Sequence, residues 1–361
     1  MQPEQEHPDQ TYEDNGRKGV ASSSRAIVNI HGLVIECISE SPELVSAMVR
    51  PFNFFRTDFG QPYVTVTGVE SEPPYSSFPN APSSFSTPRN IVFTRGKTKI
   101  IDYFGKGVVI ADDGGRKHTI YGTDPNFLQE AFYLLVLSLL GQYCDEKGIL
   151  RIHALTFSLA DTAVIFSAQS GGGKSTMAFS VLEREGLRLI SDDEALVDKD
   201  GSVLPLPIRI GTLDESRISS IPPEYVYRID RMEFGEKYFI DIDYWEDKLE
   251  RRLLRKKILF FAKRLINGNP YIEKSSRFET LKSLMSAAVI GLGLYQGMEF
   301  VFNNSPGEIF SRVPVFGRRL YAALGLTAAA ESYKIFLGRD HAENIRVLEE
   351  FLRKRQAGDA R

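Results

Sequence analysis

The chemistry of this chain concentrates in residues 167 to 176, Ser-Ala-Gln-Ser-Gly-Gly-Gly-Lys-Ser-Thr. The segment closes an apolar run, Ala163-Val164-Ile165-Phe166, and precedes a helix-like stretch, so the order is strand, glycine loop, helix around a Lys-Ser pair. That order is the pattern of a phosphate-binding loop. Ser170, Gly171, Gly172 and Gly173 let backbone N–H groups turn inward around a β-phosphate. Lys174 reaches the β and γ oxygens, the Ser175 hydroxyl can ligate Mg²⁺, and Thr176 follows in the first helical turn. A Cβ at Gly173 would obstruct the backbone's approach. The consensus spacing asks for glycine where this chain has Ala168, a mild departure. A glycine-rich turn carrying a surface lysine would share the composition, but strand, loop and helix together favour phosphate binding.

Three further residues fall where phosphoryl chemistry would need them. Arg151 to Ser158 and Thr162 to Ala168 are β-like runs around Leu159-Ala160-Asp161, which predicts an antiparallel hairpin centred near residues 160 and 161. Reflection about that centre sets His153 opposite Ala168, at the mouth of the loop. After the loop, a helix from Ser175 to about Glu185 ends at Gly186, and Leu187-Arg188-Leu189-Ile190 forms a strand ending in Ser191-Asp192-Asp193. The expectation is that this strand lies beside the loop strand and delivers both carboxylates to the site as metal ligand and base. Neighbouring strand residues face opposite ways, so both aspartates serve the site only if the chain bends at Ser191–Asp193. The bland reading of Ser-Asp-Asp is a turn that ends a strand, and that of His153 is a solvated side chain.

The elements that must position these groups read as an α/β protein. Residues 1–25 are polar, acidic and proline-bearing, the composition of a disordered tail without a secretory signal. Residues 26–123 read as a small N-terminal α/β domain, with a helix capped by Ser41 before Pro42 and short strands around 90–94, 99–103, 108–111 and 117–121. Within it, 71–88 carries five prolines and is expected to be an exposed loop. Asp124-Pro125 starts a bridging helix over 124–147, and a second domain spans 148–356, closing with a strand at Tyr333–Leu337 and a helix whose Ile345, Leu348 and Leu352 share one face. The longest apolar stretches, Ala131–Leu140 and Met285–Leu294, are too short to cross a bilayer and read as buried helices.

Composition narrows the function classes. A formal net charge of −3 argues against nucleic acid or an anionic membrane as the main partner. Cys37 and Cys144 have neither zinc nor redox spacing, so a reducing cytoplasm is the expected compartment.

The order His153, then Ser170-Gly171-Gly172-Gly173-Lys174-Ser175, then Arg188-Leu189-Ile190-Ser191-Asp192-Asp193 resembles the catalytic domain of the HPr kinase/phosphorylase family. The resemblance covers residues 153 to 193 and is weaker onward to Gly338-Arg339-Asp340. It implies a phosphoenolpyruvate-carboxykinase-like P-loop domain preceded by the smaller N-terminal α/β domain. It also implies ATP as donor, Mg²⁺ as cofactor and a hydroxyl on a peptide or protein as acceptor. Under it Lys174 anchors phosphate, Ser175 is a magnesium ligand, the Asp192/Asp193 pair supplies the base and the second metal contact, and His153 supports deprotonation of the acceptor. Of the pair, Asp192 is the favoured base and Asp193 the metal contact, the resemblance itself leaving that division open. Two departures weigh against HPr itself as substrate: Thr176 stands where the bifunctional enzymes carry Glu, and their downstream glycine-rich stretch is missing. The chain is more similar to divergent family members that accompany ribosomal peptide biosynthesis, including lasso-peptide clusters.

Competing readings differ in what they need. Transporter-type ATPases share Gly-Gly-Gly-Lys-Ser-Thr but require an L-S-G-G-Q signature that does not occur here. A non-catalytic ATP-binding regulatory module needs the loop alone, and a small-molecule hydroxyl kinase needs the same catalytic groups. Arg209, Arg231, Lys237 and Arg264 are unranked candidates for neutralising transition-state charge, Trp245 reads as a packing anchor, and a homo-oligomer stays open.

Overall fold

Alternating apolar residues from Ala26 onward make one face of a sheet, and the two-residue turn His31-Gly32, both at positive φ (52° and 97°), folds the first two strands together. The structure, a computed structural model, describes residues 23–168, 173–232, 235–289 and 306–359. The tail expected over residues 1–25 therefore lies outside the description except for its end, where Ser24 and Arg25 already belong to the first strand.

The N-terminal sheet contains β1 (Ser24–Ile30), β2 (Leu33–Ser39), β3 (Arg56–Thr57), β4 (Val64–Glu70), β5 (Ser83–Ser86), β6 (Ile91–Arg95), β7 (Thr98–Asp102), β8 (Val108–Asp112) and β9 (Lys117–Gly122). Its nine strands run in the order β3-β1-β2-β4-β9-β8-β7-β6-β5. Helix α1 (Pro42–Val49) is capped as expected, the Ser41 side chain accepting from the Leu44 N–H. The proline-rich stretch corrects one expectation: β5 forms inside it and pairs antiparallel with β6. An edge strand needs partners on one side only, and Pro82 and Pro88 fall just outside it.

Helix α2 (Pro125–Lys147) starts at an Asp124 cap and ends at Gly148 in the left-handed region (φ 72°). It is long and apolar enough to cross a membrane, yet 72% of its apolar window is buried inside the protein. Phe132, Leu135, Val136 and Leu140 pack with Ile30, Phe52 and Val66 from the first sheet and with Leu196, Leu206 and Ile208 beyond it, so α2 is a core helix shared by both halves.

The second half contains β10 (Leu150–His153), β11 (Leu155–Leu159), β12 (Thr162–Ser167), α3 (Lys174–Leu182), β13 (Leu187–Ser191), β14 (Glu194–Val197) and β15 (Val203–Leu204). It continues with β16 (Ile210–Thr212), β17 (Val226–Asp230), β18 (Glu236–Ile240), β19 (Lys256–Arg264), β20 (Tyr271–Lys274), α4 (Arg277–Leu284), α5 (Pro306–Ala329), β21 (Glu331–Leu337) and α6 (His341–Asp359). The central sheet has the order β13-β11-β12-β19-β21-β20, with β12, β19 and β21 mutually parallel. One face is covered by α3 and α6 through Phe179, Val181, Ile345, Leu348 and Leu352. The other is covered by α4 and α5 through Leu284, Ala323 and Leu326. A mixed sheet with helices on both faces is an α/β arrangement. Two smaller sheets, β10-β14-β15 and β16-β18-β17, flank it.

The halves are joined by charge as well as by α2. Arg50 beside α1 makes a forked contact with Asp241 at 2.7–2.9 Å. Arg209 is buried between the rings of Tyr133 and Phe239 and donates to Glu130 of α2 at 2.6 Å. Arg209 is thus committed to the junction. Because truncating one partner of a buried pair strands the other charge, Glu130→Ala is expected to cost about 3–5 kcal/mol of stability in urea unfolding. A cost under about 1 kcal/mol would mean that the guanidinium finds compensation elsewhere.

Candidate phosphate-transfer site

Strand β12 delivers the chain to Ala168, and helix α3 resumes at Lys174 with Gly173 as its cap at φ +90°, a conformation that suits glycine. Of the expected loop residues, Ser170, Gly171 and Gly172 lie outside the described residues. Ala168, Gly173, Lys174, Ser175 and Thr176 frame the two ends of the loop, Ser175 and Thr176 half-buried on the first turn of α3. The Lys174 ammonium donates to the Ala168 carbonyl at 2.9 Å, so its side chain folds back across the loop ends. Burial pushes the Lys174 pKa down, opposed by the negative charges of Asp193 and Asp192.

The hairpin centre is where the spacing puts it: Leu155 pairs with Phe166 and Leu159 with Thr162. Two details differ. The run 151–158 is not one strand, since the chain bends at Ala154 and β10 leaves for a second sheet, where it pairs with β14. In addition, β13 does not lie beside β12; it pairs with β11, which occupies the flank of β12 as its hairpin partner. Because β11 is antiparallel to both, β12 and β13 run the same way and their C-terminal ends reach the same edge. The carboxylates therefore arrive near the loop one strand farther over than expected.

The bend that both aspartates require is present. Strand β13 stops at Ser191, Asp192 and Asp193 turn, and β14 restarts at Glu194 opposite His153. The Ala154 N–H donates to the Asp193 carbonyl at 3.0 Å, and the Ser167 hydroxyl donates to the His153 carbonyl at 3.2 Å, tying loop strand, histidine and aspartates together. His153 Nδ1 stands 3.3 Å from Asp193 Oδ1. Asp193 keeps about half of its side chain exposed, 46%. Asp192 turns inward: its Oδ1 is sealed from solvent with no hydrogen-bond partner. Burial, reinforced by the Asp193 charge, raises the Asp192 pKa to about 7 against the pull of Lys237 and Lys174.

Of the four cations that sequence reasoning left unranked, Lys237 is the one whose charge acts on Asp192. It rises from β18, and burial lowers its pKa while Asp192 raises it. Gly211 on the paired strand β16 makes room for it, since a Cβ there would come within 2.5 Å of Lys237 Cε. Strand alternation could have turned Lys237 inward, but nothing local in the sequence links β18 to Asp192. Trp245 packs edge-on against Phe179 of α3 at 5.9 Å and Tyr244 at 5.1 Å, a packing anchor beneath the helix.

Among the described residues no group of three or more His, Cys, Asp and Glu side chains is arranged to hold a metal. Mg²⁺ commonly takes one or two carboxylates and completes its shell with phosphate oxygens and water. Asp193 and the Ser175 hydroxyl are the donors that would hold it here, and the unpartnered Asp192 Oδ1 leaves acceptor capacity at the same edge. The chain matches no protein-family model and no curated protein.

The Asp192 shift has a stability consequence. A carboxyl raised on folding favours the protonated folded state, so its contribution is full below the ordinary carboxylate pKa and is lost as pH rises through about 7. Nucleotide- and metal-free protein should therefore lose melting temperature relative to Asp192→Asn between about pH 5 and pH 8. A constant difference between the two melting curves across that range would contradict the assignment.

Proposed function

We propose that the chain is an ATP-dependent kinase of the phosphoenolpyruvate-carboxykinase-like P-loop type that phosphorylates a hydroxyl, with Mg²⁺, on Ser or Thr of a peptide or protein. The observation that carries the reading is the inward carboxylate of Asp192, raised to about 7 and with its buried Oδ1 lacking a hydrogen-bond partner, at the strand edge shared with Lys174. A base that titrates near neutral pH suits removal of a proton from an acceptor hydroxyl.

In this reading Asp192 takes the hydroxyl proton as the acceptor oxygen bonds to the γ-phosphorus. The bond from that phosphorus to the β–γ bridging oxygen breaks, and ADP leaves. Lys174 and Lys237 neutralise charge on the phosphoryl oxygens, the larger part of catalysis in a loose transition state. Asp193 and Ser175 would hold Mg²⁺, which when bound would offset charge on the donor's phosphate oxygens. His153, against Asp193, orients that carboxylate. The cytoplasm as compartment draws support from two free, buried thiols, Cys37 and Cys144, each raised to about 12 by burial.

A regulatory module that binds ATP without turnover is the second reading, since the loop alone would suffice for it. Mutants separate the two. Lys174→Ala should abolish nucleotide binding or turnover with the fold intact. Asp192→Asn should keep ATP affinity within about tenfold yet slow phosphoryl transfer by roughly 10²–10⁴, the range for loss of a general base. His153→Ala should show a smaller loss in the same direction. Parental transfer rates in both Asp192→Asn and His153→Ala would remove these groups from the chemistry.

A further inference from the structure

We infer that the nucleoside end of the donor lies across the ends of β19 and β21, against Arg264 and His341. The inference rests on the phosphate-loop reading and adds where ribose and base are held. Its starting point is an asymmetry about the loop. Asp192 and Asp193 follow β13, which pairs with β11 on one side of β12; His153 stands 3.3 Å from Asp193, and the Lys237 charge acts on Asp192. These are groups that act on a γ-phosphate and an acceptor, so the polyphosphate must run from them toward the opposite flank.

That flank is β19, which runs parallel to β12 with Ser167 level with Phe261 and ends in Arg264. Beyond it, β21 leads through Gly338-Arg339-Asp340 to His341 at the start of α6. The Arg264 guanidinium (Nη2) and the His341 ring (Cε1) stand 3.6 Å and 3.8 Å from the point where a Gly173 side chain would begin. Both side chains are exposed, and among the described residues neither has a hydrogen-bond or ion-pair partner. A guanidinium and an imidazole are planar groups suited to stacking on a base.

Their backbone is held in advance. Buried Asn344 accepts from the Gly338 N–H at 2.8 Å and donates to the Gly338 carbonyl at 3.1 Å. The Asp340 carboxylate accepts from the N–H groups of Ala342 and Glu343. Leu265 N–H donates to the Leu337 carbonyl at 2.9 Å, joining the ends of β19 and β21. Gly338 has no space for a side chain, because a Cβ would lie 2.9 Å from the Gly268 carbonyl oxygen. With the backbone already fixed, ligand binding need order only the two side chains and not the segments that carry them.

Calorimetric titration of the full chain with Mg²⁺-ATP, Mg²⁺-ADP and inorganic tripolyphosphate separates base recognition from phosphate recognition. Arg264→Ala combined with His341→Ala should weaken ATP and ADP by about 10- to 100-fold while tripolyphosphate affinity stays within about threefold. Lys174→Ala should weaken all three. Arg264→Lys, which keeps the charge but loses the plane, should not restore ATP affinity to the parental value. Equal losses for ATP and tripolyphosphate would make these residues phosphate ligands and overturn the inference, as would unchanged ATP affinity. A parent chain that binds neither ATP nor tripolyphosphate would instead overturn the phosphate-loop reading itself.

Discussion

Two neighbouring strands break at the same level, and the candidate site depends on that shared break. The chain enters the central sheet through β10 and β11 with a bend at Ala154, and leaves it through β13 and β14 with a bend at Asp192-Asp193. The hydrogen bond from the Ala154 N–H to the Asp193 carbonyl clamps the two bends together. A continuous β13 would send Asp192 and Asp193 to opposite faces of the sheet. Broken here, it offers one carboxylate inward and the other to His153, beside the end of the loop strand.

The charges gathered at this break are poised by burial. Two unit charges 4 Å apart interact by about 4 kcal/mol at an effective dielectric near 20, so adjacent carboxylates resist ionising together. Lys174 and Lys237 pull the other way, and each has its own pKa lowered by burial. Asp192 is caught between them near neutrality. Bringing a polyanion and a divalent cation into this edge, as the proposed reading requires, would redistribute every one of these interactions.

Much of this arrangement was legible from residue order because local rules governed it. The hairpin register followed from its short connection, the helix starts from Ser41 and Asp124, and the need for a bend from the pleat of a strand. What escaped was set by distant partners. The flank of β12 went to β11, displacing β13, and β10 joined a different sheet through pairing with β14. Lys237 approaches Asp192 on a strand that enters the site from much later in the chain, past Gly211. Arg209 carries the same charge as Lys237 but is locked to Glu130 between two rings. Only tertiary packing tells these two cations apart. The central residues of the loop, Ser170, Gly171 and Gly172, rest on sequence pattern alone.

The central claim is that this edge transfers phosphate to a hydroxyl and does more than hold a nucleotide. Its most direct test is transfer of labelled γ-phosphate from Mg²⁺-ATP to a library of Ser- and Thr-containing peptides. The account predicts an acid-stable phosphoester formed in step with an equal amount of ADP. Saturable ATP binding with neither phosphoester nor ADP would contradict it.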